Sequence, residues 1–551
     1  MLALLAIGCT LILAGIVSAL AISRNRSLQV DEVEHVHAAY SIADGRALYR
    51  DYWQSHNPLL YVVLQPLVRV DDPIGTFRRA RAFVAVLMFC TIALSAWTAH
   101  RLAGSVGGAV AAAQLLFETT FAERGIEIRP DNLVALAVAA ALALQVSRIR
   151  EGRRFCLQGL LLGVAFLATS KAIVLTTAFG ALWAASAIRR RRPILLLGPT
   201  ASWLFPLGIA AAILAGLGLL DDWARWNLAP YFRHVSRSLL PDATFTPWEY
   251  LLRDAGRNVF FYASFFMAVV CVAVLAILRR PQAGPLSFPV VLAFAGLVFL
   301  RLNPFPFPYN FVAVLPTCAV LGGAIWGLLA AQLSRSGSRA LTVASLVGLC
   351  IALAALPTAD RRFRKSLVGN DHQLATLRTV SRLTAPNDPV FDLVGMYFRP
   401  DAYPVYTMTG VMMKKYRLGI FPPIIPALLQ NEVTVCIDNY RMMWLPEAEK
   451  RFLSDHFIRY GRAVLIPGTV IRDLKPGAAR RFRVLREKPF RYTGDGSLLV
   501  DGAPFEVGVL MRGVHVLTAA IPISSGVLHL DVPPPERDDV PRAVPLFEHF
   551  D

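Results

Sequence analysis

The sequence predicts an α-helical polytopic membrane protein with a C-terminal extracytoplasmic α/β domain. Apolar runs of about 18 to 25 residues fill the first two thirds of the chain, a length that suits a hydrocarbon core of about 30 Å. Only 17% of its 551 residues are charged, against about 25% in an ordinary soluble protein. Short arginine-rich segments recur between alternate apolar runs, whereas the last third has the mixed composition of a soluble domain.

The apolar runs give about eleven candidate spanning helices, over 1–23, 80–99, 104–121, 131–147, 155–170, 172–188, 193–220, 258–278, 285–301, 308–331 and 339–357. The first run lacks the charged start and the clean cleavage site of a signal peptide, and reads as a retained helix. The stretch 58–69 is apolar but too short to span, and reads as interfacial or re-entrant. The loops at 100–101, 148–154, 189–192, 279–280 and 335–339 are short and basic, which places them in the cytoplasm. The alternate set is then extracytoplasmic: the long loop 24–79, loop 122–130, loop 221–257, loop 302–307 and the tail. Loop 221–257 interleaves tryptophan and arginine and is expected on the outer leaflet, where it could also serve as a lid. The domains read as a membrane part over 1–357, an outer α/β domain over 358–535 and a Pro-rich end over 536–551.

In the outer domain, 389–395 reads as a buried strand, 427–438 ends in a second, 447–457 is an amphipathic helix and 462–468 a third strand. From about 482 onward, alternating apolar residues and turn glycines indicate β-structure. The last segment, DVPPPERDDVPRAVP, reads as extended or disordered.

The net charge of +18 is carried largely by loop arginines that set topology, so a nucleic-acid partner is not expected. Of the seven cysteines, Cys9, Cys90, Cys156, Cys271, Cys318 and Cys350 lie in or beside apolar runs and Cys436 stands alone in the outer domain. None has metal-type spacing, and no disulfide can form within that domain.

Acidic side chains at a membrane surface call for a reason. The first outer loop opens with Asp31-Glu32-Val33-Glu34-His35-Val36-His37, directly after the first helix. On a helix, Asp31, Glu34 or His35, and Ala38 share one face, with Glu32 to the side. Tyr49-Arg50-Asp51-Tyr52 and His56-Asn57-Pro58 follow. Glu34, His35 and His56, with His37 nearby, are the groups that could hold a divalent metal, although their spacing is no known ligand motif.

The segment DEVEHVHAAYSIADGRALYRDYWQSHNPLLYVV resembles the first outer loop of the GT-C superfamily of membrane glycosyltransferases. More narrowly, it is similar to bacterial relatives of the protein O-mannosyltransferases and of the lipid A aminoarabinose transferase, glycosyltransferase family 39 and its kin. Asp31 matches the acidic residue that this family sets near the reacting sugar. Glu127-Ile128-Arg129-Pro130-Asp131 resembles the family's second acidic position, and Ala168-Thr169-Ser170-Lys171 its outer-side lysine. The likeness covers about residues 20–330 and leaves the tail aside. Where the aminoarabinose transferases have Lys-Pro after the first loop, this chain has Asn57-Pro58, and the Trp-Trp-Asp motif of oligosaccharyltransferases is absent.

The resemblance implies a polyprenyl-phosphate sugar as donor and a glycan, lipid or protein hydroxyl as acceptor, on the extracytoplasmic face of a bacterial-type inner membrane. A departing phosphate is a stable anion and needs no general acid. The reaction needs a carboxylate to take the acceptor's proton and cations to hold the phosphate. Asp31 as base, Glu32 and Asp131 are expected to be catalytic, and Lys171, Arg129 and Arg301 to bind phosphate, in one inverting displacement. Arg301 precedes the alternating prolines 304–308, which suggest a cavity-lining segment. Two other readings remain: a secondary transporter, which would place ionisable residues at mid-membrane in pseudo-symmetric halves, and a non-catalytic scaffold that signals through the tail.

Overall fold

The computed structural model describes residues 2–54, 56–228, 247–278, 283–302, 308–335, 346–355, 369–535 and 545–547. Each apolar run of the sequence falls on a helix. They are α1 (Leu2–Asn25), α4 (Pro73–Phe117) with the short α5 (Thr119–Arg124) after it, α6 (Pro130–Gln145), α7 (Glu151–Ala168), α8 (Ile173–Arg189), α9 (Ile194–Gly216) and the later helices Val259–Ile277, Ala283–Leu302, Leu315–Arg335 and Leu346–Ala355. Among the described residues, Pro73–Phe117, Ser170–Arg189, Ile194–Gly216, Val259–Ile277 and Leu315–Ser334 are long and apolar enough to cross a bilayer. The chain is an integral membrane protein.

The 45-residue α4 merges two expected helices across a kink. Its start is set by Asp72, whose Oδ1 accepts from Gly75 N at 2.7 Å, and by Pro73 in the first turn. It breaks at Ala103-Gly104, where Gly104 has φ +78°, a conformation glycine adopts without steric cost. Its second half packs on Leu315–Arg335 through glycines. A Cβ on Gly323 would meet Gly107 O at 2.5 Å, and one on Gly327 would meet Ala103 O at 2.4 Å. Gly159 and Gly163 of α7 likewise approach Pro199 O and Trp203 O of α9 within 2.2 and 2.5 Å of where a Cβ would sit. Lipid gives little hydrophobic drive between helices, so close backbone contact at small residues replaces it.

The first outer segment is more ordered and more buried than a loop. It forms α2 (Val30–Ala43), α3 (Leu59–Leu64) and a one-turn 3-10 extension, Gln65–Leu67. In α2, Glu32 through Ser41 are all buried, charged residues included. One apolar core joins Val30, Val33, Val36 and Tyr40 of α2 to Val84 of α4 and to Val394, Tyr397 and Phe398 of the outer domain. The helix therefore lies sandwiched between bundle and outer domain.

The outer domain begins with the helix Asp371–Leu383, which the sequence reading lacked. It then builds two sheets from β1 (Val390–Phe391), β2 (Val435–Ile437), β3 (Phe457–Tyr460), β4 (Val464–Leu474), β5 (Ala479–Val484), β6 (Lys488–Gly494), β7 (Ser497–Val500), β8 (Ala503–Pro504), β9 (Val507–Leu510), β10 (Gly513–Ile521) and β11 (Ile523–Leu530). The larger sheet runs β1-β2-β4-β11-β6-β9 with β3 on β4, and the smaller runs β5-β10-β7-β8. Among the described strand pairs, β1 and β2 run parallel, as an α/β crossover requires, and the others are antiparallel. The expected helix at 447–457 is Glu447–His456.

Two features go beyond the sequence expectations. Within the Pro-rich end, Leu546 and Phe547 are buried in the core that holds α2, and Gln373 Nε2 donates to Leu546 O at 2.7 Å. Two large apolar side chains outweigh the surrounding polar composition there. In loop 221–257, Trp226 packs against Trp53 and Phe421, and Trp223 Nε1 donates to Asn57 Oδ1 at 3.2 Å. Trp223 and Trp226 thus pack on the protein, while the described end of the loop, Pro247–Arg257, forms an amphipathic helix. Residues 229–246 of that loop, and prolines 304 and 306, lie outside the described residues.

Candidate active site

Three short features of the backbone bring the expected residues together. Asp31 and Glu34 lie one turn apart on α2. Arg129 precedes Pro130, which disfavours the helical region before it; Arg129 is accordingly extended (φ −140°, ψ 147°), and α6 starts with Pro130 and Asp131. Lys171 sits in the 3-10 turn Ser170–Ala172 between α7 and α8, behind an extended Thr169.

Arg129 is the hub. Its Nη1 lies 2.6 Å from Asp31 Oδ2, and its Nε is 2.7 Å from Glu127 Oε2. Its guanidinium lies 4.1 Å above the Tyr309 ring. Its remaining nitrogen, Nη2, is buried with no hydrogen-bond partner among the described residues. Lys171 Nζ faces the same ring at 4.6 Å, donates to Asn310 Oδ1 at 2.8 Å and stands 3.8 Å from Asp131 Oδ1. A cavity lined by Asp131, Lys171, Asn310, Thr169 and the apolar Val134 and Leu175 opens beside this cluster. It is polar at one end and greasy along its wall.

Glu127 is a strut. It binds Arg26 Nη2 at 2.8 Å and Arg124 Nη1 at 2.7 Å, besides Arg129. Burial opposes its charge, but the three arginines outweigh that cost and hold its carboxyl well below the usual range. Glu32 is likewise saturated, on another side of α2. Arg81 Nε and Nη2 meet its two oxygens at 2.9 and 2.7 Å, and the backbone N–H groups of Gln29 and Ile128 add bonds of 3.0 and 3.2 Å. It ties α2 to α4 and to the segment that carries Arg129.

The two carboxylates on the shared face differ. Burial disfavours a charged Asp31, yet Arg129 and Arg441 outweigh it and hold its carboxyl below the ordinary range. Burial and the neighbouring Asp31 push Glu34 up to about 7. Thr407 Oγ1 donates to Glu34 Oε2 at 3.1 Å, and Arg441 Nη1 donates to Thr407 Oγ1 at 2.9 Å and to Leu393 O at 3.0 Å. Thr407 and Arg441 belong to the outer domain, and no sequence motif marks either.

His35 and His56 meet edge to face at 5.2 Å between ring centroids. Burial, with Lys171 beside it, lowers His56 to about 4. Among the described residues, no three His, Cys, Asp or Glu side chains converge as a metal site. His37 instead docks the outer domain, through Tyr397 O at 2.9 Å and Asp401 Oδ1 at 2.8 Å. Arg301 lies on the helix Ala283–Leu302, and its side chain is outside the described residues. Tyr309 and Asn310, on the 3-10 turn Pro308–Phe311, join the site unforeseen; the alternating prolines were the signal for that turn.

No family model matches the chain, and no curated protein matches it. Solved structures do match its fold. ArnT from Cupriavidus metallidurans bound to undecaprenyl phosphate superposes with a TM-score of 0.59 at 12% identity, over 83% of this chain and 97% of that one. The same enzyme in the apo state gives 0.58 over the same shares. The Archaeoglobus fulgidus oligosaccharyltransferase in the apo form gives 0.48 at 12% identity, over 79% and 70%. The fold is GT-C, as the first outer loop led us to expect.

Proposed function

We propose that this chain of GT-C fold is a membrane glycosyltransferase that moves a sugar from a polyprenyl phosphate to an acceptor hydroxyl on the extracytoplasmic face. The observation that carries this reading is the buried Arg129 Nη2, which has no hydrogen-bond partner among the described residues and shares the Tyr309 ring with Lys171, itself part of the lining of an apolar-walled cavity. A buried guanidinium nitrogen costs stability unless something accepts its hydrogen bond. A lipid phosphate fits that place: two cations for its oxygens and an apolar wall for its chain. The undecaprenyl phosphate held by the ArnT structure is a lipid of this class.

In this reading Asp31 is the base. Its proximity to Arg129 keeps it ionised, and it takes the acceptor's proton as the hydroxyl oxygen attacks the anomeric carbon. The phosphate leaves with the bonding electrons toward Arg129 and Lys171, and the anomeric centre inverts. Asp131 fixes Lys171, and Glu32 holds α2 at its height above the bundle. Arg301 is a further phosphate contact. The protein sits in a bacterial-type inner membrane with its outer domain extracytoplasmic. A transporter reading finds less support, because the ionisable cluster is at helix ends.

The test is sugar transfer by purified protein in nanodiscs, offered a panel of radiolabelled undecaprenyl-phosphate sugars with membrane extract as acceptor. Transfer from one donor supports the reading; no transfer from any donor by folded protein that still retains undecaprenyl phosphate overturns it.

A further inference from the structure

Glu34 is a buried carboxylate, 5% exposed, that the transfer described above leaves without a task. It lies one helical turn beyond Asp31 on the same face of α2. Around it stand Asp31 on its own helix, Tyr61 of α3, Gln54 from the first outer segment, Tyr309 from the bundle, and Tyr406, Thr407 and Arg441 from the outer domain. Arg441 is the cation of that set that acts on both carboxylates. It is held rigidly: Asn439 Oδ1 caps its backbone N–H at 2.9 Å, and its Nη1 binds Leu393 O and Thr407 Oγ1. Tyr406 OH donates to Glu34 O at 3.1 Å and accepts from Gln54 Nε2 at 3.0 Å, closing the frame. No packing need explains a carboxylate at this point, since a threonine and an amide would satisfy each other equally well.

We propose that Glu34 is the terminal proton acceptor of the transfer reaction, held in that role by Thr407 and Arg441 of the outer domain, with Asp31 the carboxylate that meets the acceptor hydroxyl. The inference rests on the glycosyltransferase reading. The acceptor O–H bond breaks as its oxygen bonds the anomeric carbon, and the anomeric carbon–phosphate bond breaks with its electron pair leaving on the phosphate. The proton passes through Asp31 to Glu34 and leaves to the outer solvent when product departs. A carboxylate tied to Arg129 is a poor store for a proton; a neighbour poised near 7 is a good one. The outer domain is thereby part of the reaction centre, and it supplies the groups that set when Glu34 is free to accept.

The test is the pH dependence of single-turnover transfer in nanodiscs, using the undecaprenyl-phosphate sugar that the donor panel identifies. Wild-type rate should rise through a limb near pH 7 to a plateau. Glu34→Gln should lose that limb and fall about 100-fold on the plateau. Glu34→Asp should keep a limb at a displaced midpoint, which a merely structural role would not produce. Arg441→Met should move the limb to higher pH, because it removes a positive charge that favours ionised Glu34. A Glu34→Gln enzyme that keeps the limb, while Asp31→Asn abolishes transfer, overturns this inference and leaves the glycosyltransferase reading standing. Wild-type protein that transfers from no donor overturns both.

Discussion

Arg129 Nη1 stands 2.6 Å from Asp31 Oδ2, and this contact joins the first outer segment to the start of α6. The same guanidinium reaches Glu127 and covers Tyr309, so one residue aligns the proposed base with the proposed phosphate site. Arg129→Lys keeps the charge but not the fork geometry. Its kcat should fall about 100-fold, the usual cost of one lost donor to a developing anion, with folding retained. A kcat within about threefold of wild type would assign Arg129 to structure alone.

Lys171 reaches the site from the opposite side and is fixed by Asn310 and Asp131. Lys171→Met should weaken retention of undecaprenyl phosphate by about tenfold to a hundredfold, the range for one hydrogen bond to a charged group. Native mass spectrometry or lipid competition would read this directly. Unchanged retention would move the phosphate away from Lys171.

Glu32 and Arg81 form a buried, two-pronged pair, 0% and 5% exposed at the side chain. Removing one partner leaves a buried charge unpaired, which costs about 3–5 kcal/mol. Arg81→Met should therefore lower the thermal stability of detergent-solubilised protein far more than Arg50→Met, whose pair with Asp222 is half exposed. Equal effects would show that the Arg81 pair does not hold α2 in place.

The seam between α2 and the outer domain should be acid-labile. Burial disfavours a charged Asp401, but His37 and Arg46 outweigh it and hold its carboxyl below the ordinary range. A carboxyl lowered in the folded state stabilises above its unfolded value of about 4 and loses that contribution as pH falls through the folded value. Limited proteolysis between pH 7 and pH 3 should expose the junction at the acid end. Asp401→Asn should be cut at both ends of the range; an acid response unchanged in that variant would place the sensitive group elsewhere.

The membrane part was legible because apolar run length is a one-dimensional signal. Even the kink in α4 sits where Gly104 interrupts an otherwise continuous pattern. Asp31, Arg129, Asp131 and Lys171 were legible through their resemblance to a known loop, and the structure brings these four into one cluster. Thr407 and Arg441 were not, since they reach α2 across more than 370 residues and no local periodicity encodes that contact. Glu32 and His37 read as neighbours of Asp31 in sequence, yet helical geometry turns them to Arg81 and Asp401. Leu546 and Phe547 were hidden by the prolines and charges around them.

The role of Asp31 as base is tested by comparing wild type with Asp31→Asn in single-turnover transfer from the donor that the panel identifies. The change keeps size and hydrogen bonding while removing the base. Transfer should fall by about 100-fold or more, with undecaprenyl phosphate still bound. Wild-type transfer rates in Asp31→Asn would contradict that role and would leave the cluster around Arg129 as a lipid-binding site without that base.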